Sequence, residues 1–246
     1  MHPILFKIGP WVVYSYGVMV LVAFLAAYVV AQKKAARAGL PAEMVSDLLL
    51  VLFVTGLLGA RIFYVAQHWN DFRGVFWRAF MIHEGGLVWY GGFLTASSSG
   101  LLYAAFRKWP ILKLADLAAP SLALGQAIGR LGCFLNGCCY GKETAGFWGV
   151  HFPDDAVLRH PVQLYEAAGC FALFIVLSFF YDRKDRREGA VILLYLFLYA
   201  SARLGIEFFR GDQTLTLGLS IPQWTSLSLL AGAAILTFAM PKKKGR

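Results

Sequence analysis

The segment YSYGVMVLVAFLAAYVVAQKK (14–34) decides the fold class, because it contains no charged residue before Lys33. A helix needs about 20 mostly apolar residues to cross the hydrocarbon core of a bilayer. A run of this length and composition therefore predicts a transmembrane helix rather than the core helix of a soluble domain.

Six further apolar runs of similar length follow along the chain. Because no 20–50-residue period repeats, a solenoid is excluded. The predicted fold class is all-α: a polytopic integral membrane protein in which residues 1–246 form a single transmembrane domain with short outward-facing polar segments. The seven predicted transmembrane helices lie near residues 12–31, 46–67, 87–106, 112–132, 163–181, 189–207 and 221–240.

The composition also indicates a lipid environment. Of the 246 residues, 59% are hydrophobic and 15% are charged, whereas soluble domains carry about 25% charged residues. The net charge of +9 would suit nucleic acid, but the basic residues occur in short clusters between apolar runs, as membrane topology requires. We therefore predict no nucleic-acid partner. The first ten residues lack a signal-peptide pattern, so the first run is expected to be retained.

The basic clusters predict an orientation, because cytoplasmic loops are enriched in Lys and Arg. Clusters follow the first, third, fifth and seventh spans, which places the N-terminus outside and the C-terminus in the cytoplasm. The clusters are Lys33, Lys34 and Arg37; Arg107, Lys108 and Lys113; Arg183, Lys184, Arg186 and Arg187; and Lys242, Lys243, Lys244 and Arg246.

Several other polar side chains share one predicted depth, at the outer ends of the spans. Ionisable residues in spans are costly and mark functional sites, although a single arginine near a helix end also snorkels to the interface. Arginine binds phosphate through bidentate forks, which indicates a phospholipid headgroup as the target. The set comprises Arg61, Arg130 and Arg203 late in the second, fourth and sixth spans, Arg210 just beyond, and Tyr16 and Tyr90 early in the first and third.

Two carboxylates accompany these arginines. Glu166, in HPVQLYEA (160–167), either holds an arginine in place or belongs to an interfacial helix cap. Arg203 and Glu207 are spaced i, i+4, so they share one helical face and also suit a simple intrahelical salt bridge.

The glycine-rich segment GQAIGRLGCFLNGCCYG (125–141) is the least helix-like part of the chain. We expect irregular backbone here, either as a re-entrant loop or as backbone N–H groups approaching a phosphate. The alternative is that the glycines serve tight helix packing.

Three of the four cysteines also lie in this segment. Cys133, Cys138 and Cys139 have the spacing C-x4-C-C, and no second Cys or His pair follows at zinc-ribbon spacing, so no metal site is predicted. They are expected to act as small apolar side chains or, in an oxidising compartment, to form a disulfide.

At these motifs the chain resembles the bacterial prolipoprotein diacylglyceryl transferase family. The resemblance covers almost the whole chain, and the ordered combination is far more specific than any single motif. The motifs are YSYG (14–17), GGLVWYGG (85–92), the GRLG…NG…G core (129–141), HPVQLYE (160–166) and ARLGIEFFR (202–210).

The resemblance implies a transferase of the bacterial inner membrane. Such an enzyme moves the diacylglyceryl group of phosphatidylglycerol onto the lipobox cysteine thiol of a preprolipoprotein signal peptide. A thioether forms and glycerol phosphate leaves. The implied protein is multi-pass and monomeric, carries no cofactor, and opens its active site toward the outer leaflet and the periplasm.

Carried over by position, Arg130 matches the arginine that binds the phosphatidylglycerol headgroup, and Arg203 matches the one at the leaving phosphate. Further family positions, assigned to substrate binding, are Tyr16, Asn136, Gly141, Glu166, Glu207 and Arg210. Arg61 is added to the substrate-binding set from its predicted depth alone.

The chain departs from the family pattern at the site of the expected base. Tyr90 stands where the family often has histidine, while Cys133 and Cys138 replace a usual Asn and a common acidic residue. The proton acceptor is therefore open between Tyr90, His83 and no strong base, the thiol then ionising in the field of the arginines.

Two rival classes share the same features. An anion transporter would need a polar path through the inner halves of the spans, where little charge occurs. A phospholipid-binding scaffold would use the same arginines without chemistry, and a transfer assay discriminates it from an enzyme.

Overall fold

A computed structural model of the chain describes residues 1–9, 11–82, 85–153, 155–183, 185–211 and 215–239. The predictions that rest on His83, Lys184 and the basic cluster within 242–246 lie outside these ranges. The helices are α1 Ser15–Arg37, α2 Ala42–Gln67, α3 Trp69–Phe72, α4 Trp89–Phe106, α5 Ile111–Asn136, α6 Val162–Tyr181, α7 Ala190–Glu207 and α8 Ile221–Ala239, with a 3-10 helix at Phe76–Phe80.

Long helices form at all seven predicted positions. Five of those in the described ranges (α1, α2, α5, α6 and α7) are long and apolar enough to cross a membrane. The other two, α4 and α8, have 18 and 19 residues and contain no charged residue. The chain is therefore a mostly helical membrane protein.

Three short antiparallel hairpins join or precede the helices, and the sequence predicted none of them. They pair β1 Ile4–Ile8 with β2 Trp11–Tyr14, β3 Val150–His151 with β4 Leu158–Arg159, and β5 Leu215–Thr216 with β6 Leu219–Ser220. Each lies directly before a helix start or between two helices, so the hairpins form the connections.

The chain divides into two compact units. The first unit comprises Met1–Ala31 and Ala115–Arg246, and the second comprises Gln32–Leu114.

In the first unit, α5 runs continuously through residues 125–136, so the predicted irregular backbone is wrong there. Helix packing explains Gly132. A Cβ on Gly132 would lie 2.9 Å from the Cβ of Met19 and 3.4 Å from Cδ2 of Tyr16. Glycine thus lets α5 approach α1 closely enough to offset its weaker helix propensity.

A buried carboxylate joins α5 to the beginning of α7. Asp116 is fully buried and accepts hydrogen bonds from the backbone N–H groups of Gly189 at 2.8 Å, Val191 at 2.9 Å and Ile192 at 3.0 Å. Arg186 Nη1 donates a further bond at 2.8 Å. The carboxylate therefore satisfies the otherwise unpaired N–H groups of the first turn of α7.

In the second unit, α2 and α4 pack through their glycines. A Cβ on Gly91 would lie 2.5 Å from the Phe63 side chain, and one on Gly92 would lie 2.9 Å from the carbonyl oxygen of Gly56. Thr95 Oγ1 donates across the contact to the carbonyl of Thr55 at 3.0 Å. The second glycine pair of the GGLVWYGG motif therefore serves helix contact.

Candidate functional site

Glu166 is the centre of a buried ion cluster in the first unit. It projects from the first turns of α6 and pairs with Nε of Arg130 on α5. Its Oε1 lies 3.4 Å from Nη1 of Arg203 on α7 and 3.7 Å from Nη1 of Arg210, just after α7. One carboxylate thus gathers three arginines from three separate positions in the chain, as the sequence had suggested for one of them.

A second carboxylate completes the cluster. Glu207 lies 2.6 Å from Nη1 of Arg203, one helical turn away on α7. Its other oxygen accepts a 2.6 Å hydrogen bond from Oγ of Ser220 at the end of β6. The i, i+4 bridge predicted from the sequence is therefore confirmed, and it belongs to a larger network.

Burial makes this network costly to disturb. Glu166, Glu207 and Ser220 are all buried, and the side chains of Arg203 and Arg210 are each 12% exposed. Removing one partner from a buried ion pair typically costs about 3–5 kcal/mol, because the other charge remains desolvated. Three guanidinium groups against two carboxylates leave one net positive charge, which suits a monoanionic phosphodiester.

The C-terminus of α5 ends in a Schellman motif beside this cluster. Gly137 adopts a φ of +73°, its N–H donates to the carbonyl of Phe134 at 3.1 Å, and the N–H of Cys138 donates to the carbonyl of Cys133 at 3.2 Å. This motif characteristically brings together the side chains of the first and sixth residues of the turn. Here those two residues are Cys133 and Cys138.

A cluster of three thiols results. The sulfurs of Cys133, Cys138 and Cys139 all lie within 4.8 Å of one another, and those of Cys138 and Cys139 are 3.7 Å apart. All the cysteines are free, so the alternative of a disulfide is not formed. Hydrogen bonds from the Cys133 and Cys139 thiols, and then from the Asn136 amide, lower the pKa of Cys138.

The thiol cluster lies against two of the predicted site residues. The guanidinium of Arg130 interacts electrostatically with Cys133 and Cys139, and the Tyr16 hydroxyl interacts with all three thiols. Tyr16 is 45% exposed, so its ring borders the cluster from the more open side. Tyr16, Arg130 and Asn136 therefore all lie around the thiol cluster.

The structure explains why residue 141 is a glycine, which the sequence alone did not. A Cβ at this position would lie 2.4 Å from the carbonyl oxygen of Phe209 and 2.5 Å from the Val162 side chain. Its N–H donates to the carbonyl of His160 at 2.9 Å. Because this N–H is occupied, Gly141 acts through close backbone packing rather than as an anion ligand.

An aromatic cavity of 390 Å³ opens next to the end of α7. Inside it, Nδ1 of His160 lies 3.1 Å from the hydroxyl of Tyr165. Ile206 and Phe209 directly precede the ion-cluster residues Glu207 and Arg210 in the sequence, so the cavity adjoins the ion cluster. The cavity is lined by Trp148, His160, Tyr165, Ile206 and Phe209. Sequence reasoning missed it, because its walls come from three separate segments.

Arg61 lies in the second unit, where its side chain is surrounded by backbone carbonyls. It is 6% exposed, and arginine carries five N–H donors. All of these are matched by backbone carbonyls, namely those of Ala79 from Nε at 2.7 Å, Gly85 and Gly86 from Nη1 at 2.6 and 3.1 Å, and Arg78 and Met81 from Nη2 at 2.7 and 3.1 Å. The side chain therefore holds the backbone on both sides of the undescribed residues 83 and 84, and its assignment to substrate binding stays a prediction.

Tyr90 also lies in the second unit, in the first turn of α4. It is 57% exposed and packs edge-on against Trp89 with ring centroids 5.2 Å apart. This ring contact is structural and supplies no group that would activate the hydroxyl as a base. The alternative base, His83, lies outside the described residues.

The fold and this cluster define a class: a mostly helical membrane protein with a buried arginine–glutamate site at the ends of α5, α6 and α7. The family model described as "Prolipoprotein diacylglyceryl transferase" matches residues 3–239. The chain belongs to this family.

Individual relatives agree with the family assignment. The chain is 32% identical over 240 residues to phosphatidylglycerol–prolipoprotein diacylglyceryl transferase 2 of Clostridium perfringens, covering 95% of this chain and 93% of that protein. It is 33% identical over 252 residues to the phosphatidylglycerol–prolipoprotein diacylglyceryl transferase of Streptococcus equi subsp. zooepidemicus, covering 99% and 97%. The Bacillus cytotoxicus protein of the same name is 32% identical, covering 97% and 92%.

Proposed function

We propose that this protein is a phosphatidylglycerol–prolipoprotein diacylglyceryl transferase. It moves the diacylglyceryl group of phosphatidylglycerol to the lipobox cysteine thiol of a preprolipoprotein and releases glycerol phosphate. The observation that carries the proposal is the convergence of Arg130, Arg203 and Arg210 on Glu166. An anionic phosphodiester complements the one positive charge that this cluster leaves over.

The reaction breaks a carbon–oxygen bond and forms a carbon–sulfur bond. The thiolate attacks the glyceryl carbon that carries the phosphate, and negative charge grows on the phosphate oxygens as they leave. Fixed guanidinium groups stabilise that charge without moving. Arg130 binds the headgroup phosphate, while Arg203, oriented by Glu207, stabilises the departing glycerol phosphate. The aromatic cavity beside Arg210 supplies apolar surface for an amphipathic substrate.

The orientation is part of the proposal. Seven helices cross the inner membrane, with the N-terminus outside and the C-terminus in the cytoplasm, so the arginine cluster opens toward the outer leaflet. The alternation of basic clusters along the sequence supports this arrangement. A precursor emerging on that face meets the site, and one chain suffices as a monomer.

The test is a transfer assay with the purified full chain in detergent, using phosphatidylglycerol labelled in its acyl chains and a lipobox peptide. We expect a labelled thioether product and stoichiometric glycerol phosphate. Arg130→Lys should be nearly inactive, because lysine lacks the bidentate fork. The matched control Arg107→Lys, at a half-exposed side chain of the second unit, should remain active. Lipid binding without transfer would overturn the proposal in favour of a scaffold.

A further inference from the structure

The three-thiol cluster at the end of α5 has the geometry of a catalytic metal site. Zinc binds thiolates at about 2.3 Å, so two sulfurs of one tetrahedral zinc centre lie about 3.8 Å apart. The sulfurs of Cys138 and Cys139 are 3.7 Å apart, and Cys133 lies within 4.8 Å of both. Small side-chain rotations would bring all three sulfurs to one ion.

The backbone around these cysteines is strained, and a buried side chain fixes it. Cys139 adopts a φ of +65°, in the left-handed region that non-glycine residues occupy at a cost of about 1–3 kcal/mol. The fully buried Gln163 donates to the carbonyl of Cys138 at 2.6 Å and fixes the turn. Strained backbone of this kind concentrates at functional sites.

The number of metal-ligating side chains distinguishes a catalytic zinc site from a structural one. Among the described residues, the cluster contains three metal-ligating side chains and no fourth. Structural zinc sites use four protein ligands, whereas catalytic sites use three and leave one position for water or substrate. A zinc ion with three thiolates carries one net negative charge, and the guanidinium of Arg130 interacts electrostatically with Cys133 and Cys139.

We propose that Cys133, Cys138 and Cys139 bind one Zn²⁺ ion whose open fourth position takes the lipobox cysteine of the substrate as a thiolate. This inference rests on the proposed transferase function and supplies its missing proton acceptor. A thiol bound to zinc is deprotonated, so neither Tyr90 nor a histidine is needed as a base.

Protons and electrons are conserved in the proposed reaction. Zinc binding releases three protons from the cysteines, and substrate binding displaces a water and releases the proton of the lipobox thiol to solvent. The bound sulfur then forms its bond to the glyceryl carbon while the carbon–oxygen bond to phosphate breaks. The electron pair leaves with glycerol phosphate, and the neutral thioether is exchanged for water.

Cobalt spectroscopy of the full chain in detergent tests the site directly, because thiolate–cobalt bonds absorb in the near ultraviolet. We expect one Co²⁺ per chain with this absorption. It should be lost in Cys133→Ser, Cys138→Ser and Cys139→Ser, and retained in Cys170→Ser, a buried cysteine outside the cluster. A lipobox peptide should add further thiolate absorption, and a peptide with serine in place of the cysteine should not.

Transfer activity tests the role of the metal. Chelation of the wild-type protein should lower transfer about 100-fold, the contribution of a typical general base, and Zn²⁺ should restore it. Full activity in the chelated protein, or no cobalt–thiolate absorption, overturns the metal site while leaving the transferase function intact. Cobalt binding that responds to the peptide without any transfer in zinc-loaded protein overturns the proposed function instead.

Discussion

Oε1 of Glu166 lies 3.4 Å from Nη1 of Arg203, although the two residues are on different helices. The same carboxyl group pairs with Arg130. Glu166 therefore sets the spacing between the two arginines on which the proposed phosphate chemistry depends. Its charge, rather than its shape, is the property that matters.

Glu166→Gln should lower transfer about 100-fold or more, because the guanidinium groups would repel one another and lose their fixed orientation. The catalytic constant for transfer to a lipobox peptide measures this. Glu43→Gln, at an exposed carboxylate in the first turn of α2, serves as the control. A glutamine variant with an unchanged catalytic constant would show that the arginines are positioned by other contacts.

Tyr90→Phe should retain near-normal transfer. The ring is exposed and contacts Trp89 through its edge, which phenylalanine preserves. The measurement is kcat/KM with the same peptide and lipid. A loss of about 100-fold, as expected when a general base is removed, would instead assign acid–base chemistry to the tyrosine hydroxyl.

Gly141→Ala should destabilise the first unit, because the added Cβ would lie 2.4 Å from a backbone oxygen that cannot move independently. We expect a lower melting temperature in detergent and poor recovery of folded protein. Gly169→Ala is the matched control: its Cβ would meet nothing within 4 Å in α6, and alanine favours a helix. Equal melting temperatures for the two variants would contradict the packing argument.

Asp116→Asn should lower the stability of the protein and leave its transfer activity almost unchanged. The buried carboxylate pairs with Arg186 and the first turn of α7, so neutralising it should cost about 3 kcal/mol of unfolding free energy. Transfer per folded molecule should stay near normal, since Arg203 lies at the other end of α7. Thermal unfolding and active-site-normalised kinetics would be compared. Lost activity at unchanged stability would refute this division.

Arg61→Lys should loosen the backbone at residues 78–81 and 85–86 of the second unit, because an ammonium group has three donors where the guanidinium supplies five. Limited proteolysis followed by mass spectrometry should detect faster cleavage in this segment. The exposed Arg73→Lys is the control. Normal protease resistance combined with a raised KM for phosphatidylglycerol would instead show that Arg61 binds the substrate.

The positions of the long helices were predictable, because each apolar run is itself long enough to require a helix in lipid. The hairpins were not, since four of the six described strands have only two residues and carry no periodic pattern. Gly125 and Gly132 misled the prediction at α5: intrinsic propensity disfavours helix there, but contact with Met19 and the rest of α1 overrides it.

The arginine cluster was predictable in part. Arg130 and Arg203 were found from their shared depth, and Glu166 from its place at a helix start. Arg61 fitted the same depth pattern, but its carbonyl partners come from an irregular segment without a sequence signature. The thiol cluster could have been found: an Asn-Gly helix end with cysteines at the first and sixth positions of the turn predicts that their side chains meet.

Two of the buried carboxylates lie toward opposite ends of α5, Asp116 in its second turn and Glu166 opposite its last turns. Both join α5 to α7, so the two helices are tied together at each end. These two connections lower the reorganisation energy of the proposed reaction. When the phosphate leaves, α5 and α7 do not have to move to stabilise its negative charge. Backbone movement therefore contributes little to the activation free energy of transfer.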